Sequence, residues 1–414
     1  MVPWVLGDPL EPTIWARVRE RAIFDCCKWD IQSEDHCVLA DYPLILESET
    51  WRGLVGLAEE LAAETLAAET ELVARNDLHS RLNLPRQVQK ALSRNKGEGA
   101  PVGAARVMRF DFHLTMEGWR ISEANTDVPG GFIEASGFTQ LMAKHFPSCQ
   151  APPDVADAYV EAIAKVAGEN AVVGLVHATA HSDDRQVMEY LARKLERRGM
   201  RAVLLSPAHI RWNSGHAELV NSSGADASAP RLLVRFYPAE WLPLLSSADV
   251  WKPWFRGGKT PMSNSGTALL VQSKRFPLTW NDLRSPVPTW QRLLPETLSP
   301  CDVPAVSAED WVYKPVFGRV GEDIAMAGIT EETRYKSLKR DAQRHPDDWV
   351  AQRRFESIAI ASSCGPRHVC LGVFTIDGRA AGIYGRISSN PLIDQNAQDI
   401  AVLISSKEER DVVR

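Results

Sequence analysis

The most constraining stretch of this chain is a pair of β-forming runs, ARVMRFDFHLT and RISEANT, separated by the short charged turn MEGW. β-Branched and aromatic residues alternate with polar ones on both sides of a glycine-containing turn, and this predicts a β-hairpin. Residues two apart share a strand face. Arg109, Asp111 and His113 therefore project together, as do Glu123 and Asn125 on the returning strand, and the tight turn sets Asp111 beside Glu123. Two carboxylates withdrawn from water repel each other unless a cation or a group such as Arg109 stands with them. Two carboxylates and an amide oxygen are hard ligands of the kind Mg2+ takes while keeping water and phosphate in the rest of its shell. A solvated face on an edge hairpin has the same spacing, and both readings stay open on spacing alone.

A second constellation lies in WVYKPVFGRVGEDI. Lys314 ends an apolar strand, Pro315 sets the exit, and Gly318 and Gly321 flank Arg319 in a turn that can come close to a ligand. Such a turn can fold over a polyphosphate, with Lys314 as a point charge and backbone N–H groups as donors. An ordinary hairpin turn is the competing account.

At 414 residues the chain has room for two or three domains of roughly 150 residues. The run from Glu47 to about Asn76, rich in Ala, Leu and Glu, predicts one long scaffold helix. From Pro152 the order is helix, strand, helix and strand, with PRLLVRFYP as a further strand, which predicts a small α/β unit around an open parallel sheet. Asn213 to Ala229 and WKPWFRGGKTPMSNSG read as loops. After them come four strand candidates, DWVYKPV, EDIAMAGI, DWVAQRRFE and HVCLGVFTIDGRAAGIYGRIS, with the polar helix EETRYKSLKRDAQRH between the middle two. The expected division is 1–150, an N-terminal helical region plus the hairpin; 151–250, the small α/β domain; and 251–414, a nucleotide-type domain with a movable glycine-rich lid.

Composition narrows the function classes. With 47 Lys and Arg against 53 Asp and Glu, the net charge of −6 provides no global field for nucleic acid or an acidic membrane, so a polyanion must be met locally. No run approaches the ~20 apolar residues of a membrane span. The N-terminal MVPWVLGDPLEPTIW has no secretory pattern, and seven cysteines without a CxxC pair suit free thiols, so a cytoplasmic location is expected. Cys26 with Cys27 reads as core packing rather than as a nucleophile. The thirteen tryptophans form no stripe; they suit core packing and permit a homodimer interface without requiring one.

Taken together, KPVFGRVGEDI, RFDFHLT…EAN and GIYGRIS…DQNAQDIAVLI resemble the synthetase domain of the glutathionylspermidine synthase family, from about Arg106 to Ile404. The resemblance implies a circularly permuted ATP-grasp fold of mixed α+β and α/β character, with a small preATP-grasp-like domain and a lid. The permutation places the metal motif before the nucleotide lysines, and here Asp111, Glu123 and Asn125 do precede Lys274 and Lys314. It implies that Asp111, Glu123 and Asn125 hold Mg2+ at the phosphates of ATP, and that Arg109 and Arg386 are catalytic, Arg109 at the reacting acyl phosphate. Lys274, Lys314, Gly318, Arg319 and Gly321 would contact the nucleotide phosphates. Val350 and Ala351 would present backbone to the adenine, flanked by Gln352. In LVQSKRFPLTW, Ser273 replaces the family's asparagine before the lysine.

The implied chemistry is a ligation. ATP phosphorylates a carboxylate, an amine displaces phosphate, and an amide, ADP and phosphate result. The substrates would be a small carboxylate and an amine, drawn from amino acids, peptides or polyamines. Where glutathione-using members carry a serine-containing stretch, this chain reads TDVPGGFIEASG, so Thr126 and Asp127 offer different substrate contacts. Asp183 and Asp184 are counterparts of the polyamine-side acids and equally read as first-turn helix carboxylates. The length matches the synthetase half alone, without the cysteine amidase of bifunctional members. The competing functions are a small-molecule kinase or phosphotransferase and a nucleotide-binding scaffold without turnover. GGKT at Gly257 lacks the first glycine of a phosphate loop, and HATAH lacks the glutamate of a zinc-protease helix.

Overall fold

The alternating pattern of the hairpin is realised along one edge of a five-stranded antiparallel sheet. Its strands run in the order Gln398–Ile400, Arg379–Ser388, His368–Ile376, Val107–Thr115 and Gly118–Asn125. The computed structural model describes residues 2–33, 36–93, 104–220, 229–318, 321, 323–362 and 365–406. In the hairpin Arg109 pairs with Asn125 and Asp111 with Glu123, and the register shifts immediately after Asp111. A shift of this kind bends and twists a strand locally and is a common way to re-aim side chains. Met108, Phe110 and Phe112 are fully buried in the same core as Leu54, Ala58, Leu61 and Leu72 of the helix Ser48–Ala74, whose apolar residues recur at helical spacing. That packing leaves the alternate residues, Arg109 and Asp111, for the opposite face.

The predicted parallel sheet has the order Met262–Ser263, Leu232–Phe236, Val172–His177 and Arg201–Leu205, every neighbour parallel. The helices Val155–Ala167 and Ser182–Arg197 accompany it, and the first is capped by Asp154, whose side chain accepts the Asp157 N–H at 3.0 Å. A third sheet, of three antiparallel strands, places Trp349–Arg353 between Thr297–Leu298 and Trp311–Pro315. It packs with the helix Glu332–Arg344 around a small core of its own, centred on Trp311, Tyr313, Tyr335 and Trp349. Trp4–Leu6 and Leu44–Leu46 join Val402–Ser405 and Cys149–Gln150 in a fourth sheet, so segments near the two ends of the chain meet.

Three local expectations are corrected. Part of the segment read as loop from Asn213 forms a hairpin, Ile210–Asn213 with His216–Leu219, because Ser214 and Gly215 both adopt positive φ, the requirement of a two-residue hairpin turn. WKPWFR belongs to the helix Ala248–Arg256, stabilised by burial of Trp251, Trp254 and Phe255 despite the internal Pro253. Among the described residues of EDIAMAGI there is no strand; an isolated bridge joins Ala325 to Tyr313, and Asp323 and Gly328 at positive φ break the extended backbone around it. Cys26 and Cys27 are buried core residues, and burial pushes the Cys26 thiol up to about 11. Among the described residues no helix is long and apolar enough to cross a membrane.

Candidate functional site

Arg109 and Asp111, two residues apart on one strand face, form a buried bidentate pair, with Arg109 Nε donating to Asp111 Oδ1 at 2.7 Å and Nη2 to Oδ2 at 2.9 Å. The remaining guanidinium nitrogen donates to the Gly130 carbonyl at 2.6 Å, and the Tyr384 ring lies 5.0 Å from Cζ. Room for the pair comes from Gly372 on the neighbouring strand, where a Cβ would stand 2.7 Å from Arg109 Cδ and 2.9 Å from Asp111 Oδ1. Burial raises the Asp111 carboxyl above its usual range even with Arg109 opposing it. Burial alone would also raise Glu123, but Lys274, then Lys314 and Arg109, hold it below its usual value. Asn125 Nδ2 donates to Asp111 Oδ2 at 3.1 Å and to Glu123 Oε1 at 3.5 Å, so its hydrogen bonds here use the nitrogen and not the oxygen.

This donor set fits Mg2+. Two facing carboxylates and an amide give oxygen ligands on one side and leave the rest of an octahedral shell to water and phosphate. Among the described residues no group of three or more His, Cys, Asp and Glu side chains forms an all-protein metal site. A site of two carboxylates and one amide leaves the rest of the shell open to water or to a phosphate-bearing ligand. His113, predicted on the same face, meets Ser122 Oγ through Nε2 at 3.0 Å, and burial pushes its imidazole down to about 3, so the ring is neutral.

The two lysines approach from other elements. Lys274, following the short helix Leu269–Gln272, has Nζ 3.5 Å from Glu123 Oε2 and donates to the Gly318 carbonyl at 2.7 Å. Lys314 is the penultimate residue of the strand Trp311–Pro315 and donates to Gln352 Oε1 at 2.7 Å and to the Ser122 carbonyl at 3.1 Å. Its ammonium is lowered to about 8, chiefly by burial and next by the positive charge of Lys274, with Glu123 acting the other way. Between them opens a cleft. Val271, Phe276, Trp290, Leu294 and Val350 supply its apolar wall, and Glu123, Gln272, Lys274, Lys314 and Gln352 its polar one. An apolar slot ending in two ammonium groups and one carboxylate has the chemistry to take a flat heterocycle at one end and phosphates at the other.

Arg386 stands across the ladder from Asp399, and its Nη2 donates to the Asp394 carbonyl at 2.7 Å. Its Nε is buried and makes no hydrogen bond, the nearest acid oxygen, Asp399 Oδ1, being 3.8 Å away. A charged donor left in this state gains by meeting an anion. Gly321 has positive φ, and a Cβ there would stand 3.0 Å from Asp394 Cα, so the glycine turn lies close against the loop that holds Arg386. Gly318 takes the Lys274 bond through its carbonyl; Arg319 lies outside the described residues. Val350 lines the cleft, whereas Ala351 is enclosed in the ladder between Tyr313 and Leu298.

The four residues carried as substrate contacts have other partners. Asp127 is 1% exposed, ion-paired with Arg235 and accepting the Ala239 N–H at 2.9 Å. Thr126 is buried, and the Thr126 and Asp127 N–H groups both donate to Gln272 Oε1, at 2.7 and 2.9 Å. Asp183 and Asp184 sit in the first turn of Ser182–Arg197 and are not among the residues that line the cleft. Sequence reasoning passed over Gln272, Gly372, Tyr384 and Trp290. Tyr384 carried a usable signal, since it precedes Arg386 by two on one strand; the others did not.

Among solved structures the chain is similar to a glutathione synthetase-like effector from Globodera pallida in its apo form. The two share 13% identity over 95% of this chain and 97% of that one, with a TM-score of 0.61. A second similarity, to a protein provisionally named γ-glutamylcysteine synthetase from Methylobacillus flagellatus KT, has 11% identity over 82% and 88% of the two chains and a TM-score of 0.44, and nothing below rests on it. No curated protein matches. The mixed α/β architecture is the ATP-grasp synthetase type expected from the sequence. A family model described as glutathionylspermidine synthase preATP-grasp matches residues 29–405, and the chain belongs to that family of synthetase-type ligases.

Proposed function

We propose that this protein is an ATP-dependent carboxylate–amine ligase that forms an amide through an acyl phosphate and releases ADP and phosphate. The observation that carries the reading is the convergence, in one cleft, of Lys274 and Lys314 with Glu123, which lies directly across the hairpin from the Arg109-bound Asp111. Three phosphates and a carboxylate can be brought together only where cations gather. The apolar wall around Trp290 and Val350 takes the adenine, with Gln352 at its edge. Lys274 and Lys314 bind the phosphates, and the glycine turn at Gly318 and Gly321 covers them. Asp111, Glu123 and Asn125 hold Mg2+, which when bound neutralises charge on the phosphoryl group.

Arg109 and Arg386 orient the acid substrate and stabilise the negative charge that develops as its oxygen attacks the γ-phosphorus and ADP departs. The amine then attacks the acyl carbon, loses a proton, and expels phosphate. Water must stay out between these steps, or the acyl phosphate hydrolyses. The acid and amine are small molecules, drawn from amino acids, short peptides or polyamines, and the protein works in the cytoplasm.

The experiment is an ADP-release screen of the purified protein with MgATP over those three compound classes. ADP, phosphate and an amide in equal amounts support the reading, and hydroxylamine in place of the amine should yield a hydroxamate. AMP and pyrophosphate as products would sink it. A stable phosphorylated product that hydroxylamine does not trap would instead make the protein a kinase.

A further inference from the structure

We propose that Lys28, near the N-terminus and just before the residues matched to the family, is a positioning residue for Arg109: it joins the two supports on which the guanidinium rests. This rests on the catalytic reading of Arg109 above. Lys28 is 3% exposed, and its N–H is bonded to the Ala22 carbonyl near the end of the helix Pro12–Phe24 at 2.9 Å. Its ammonium lies 2.5 Å from Glu134 Oε1, 3.0 Å from Asp30 Oδ1 and 3.4 Å from Asp399 Oδ2.

Each of two of these carboxylates leads to Arg109. Glu134 opens the π-helical stretch Glu134–Phe138, four residues after Gly130, whose carbonyl holds Arg109 Nη1 at 2.6 Å. Gly131 between them is at positive φ with its Cα against the Tyr384 ring, where an added Cβ would come within 3.0 Å. Asp399 leads by the other route, its Oδ1 accepting the Tyr384 hydroxyl at 2.5 Å, while the Tyr384 ring lies 5.0 Å from the Arg109 guanidinium carbon. Without the ammonium, two carboxylates at most about a tenth exposed would face each other, with only Arg386, 3.8 Å from Asp399, left to offset them. Their repulsion, or the protonation that relieves it, would separate the Gly130 turn from the Tyr384 strand. Arg109 would then lose one or both supports, while the cleft that takes the nucleotide, formed from other elements, stays as it is.

The test compares full-length Lys28→Met and Lys28→Arg with the parent by MgATP calorimetry, by ADP release at saturating ATP, and by crystallography. Lys28→Met is expected to bind MgATP within about threefold of the parent and to release ADP about a hundredfold more slowly, the scale of a 1 Å misplacement. Its structure should show Arg109 displaced from Tyr384, and Lys28→Arg should recover most of the rate. An unmoved Arg109 with unchanged ADP release overturns the proposal. So does a parallel loss of binding and turnover that Lys28→Arg does not repair, since that is a purely structural role. Should Lys28→Met not fold, Tyr384→Phe cuts only the hydroxyl link; slower ADP release with unchanged MgATP affinity supports the relay, and an unchanged rate overturns it. If the parent releases no ADP with any substrate, the ligase reading has failed, and the position of Arg109 in the variant structures still decides this one.

Discussion

The central sheet and the three-stranded sheet hold their cations in opposite ways. On the central sheet Arg109 is clasped by a carboxylate on two sides of its fork, by a carbonyl on the third, and by an aromatic ring beneath. Burial opposes its charge, but Asp111 outweighs burial and raises the guanidinium above its ordinary value. On the three-stranded sheet Lys314 is just as deeply buried, yet its two hydrogen bonds go to neutral oxygens, of Ser122 and Gln352. There burial prevails and the ammonium falls to about 8. The first cation is paired within the folded scaffold, and that pairing holds its charge in place. The second is held at a cost that a bound phosphate would relieve. The surroundings match: one sheet belongs to the largest core of the molecule, and the other packs on a small separate core.

This contrast can be broken most severely at Asp111. Asp111→Ala should leave ADP release at background, a loss of about a thousandfold or more, and should also lower the unfolding free energy by about 3–5 kcal/mol because Arg109 remains buried and unpaired. Undiminished turnover in the variant would contradict the metal assignment; urea titration reads the stability. Asp127→Ala, which strands Arg235, should cost a similar ~3–5 kcal/mol but leave measurable ADP release, separating a structural ion pair from a catalytic one. Turnover lost together with only a small stability change would return Asp127 to the site.

Lys314→Met should behave in the opposite sense. MgATP affinity measured by calorimetry should fall about 10- to 100-fold, while thermal stability holds or rises, since an apolar side chain of similar volume replaces a charge held without a carboxylate. Gly372→Ala places a methyl group against Arg109 and Asp111 and should cost about 1–3 kcal/mol by overpacking, with slower ADP release and MgATP affinity nearly unchanged. The smallest effect is on pH. The folded Lys314 value of about 8 lies below the ordinary 10.5, so between those values the unfolded chain binds more protons and stability rises with pH. MgATP affinity should move the other way, declining as pH passes about 8, because the free protein then loses the proton that meets the phosphate. An affinity flat from pH 7 to 9.5 would remove Lys314 from the phosphate site.

The legible and illegible parts of the site divide by sequence distance. Arg109, Asp111, Glu123 and Asn125 could be placed together from a period of two and one turn, because a hairpin's geometry is local. Lys314 was singled out by the glycine-rich turn after it, and Lys274 and Arg386 by resemblance, since no local rule brings such distant residues together. Gln272, which receives two N–H groups from the segment after Asn125, and Lys28, which meets Glu134 and Asp399, had no signal at all. The fold was read similarly: the long helix and the parallel sheet followed their patterns, whereas EDIAMAGI has strand composition but no strand among its described residues.

By itself the sequence determined the hairpin, its facing carboxylates, the alternation that turns Arg109 and Asp111 away from Phe110 and Phe112, and the order of motifs along the chain. These follow from dihedral preferences and short-range periodicity, which act between neighbours. Only the tertiary structure decided that Asp127 belongs to Arg235, that Gly372 makes room for the arginine pair, and that Lys28 meets Glu134 and Asp399. Those outcomes depend on which charges are excluded from water together, and desolvation is a property of the assembled core that no stretch of sequence carries alone.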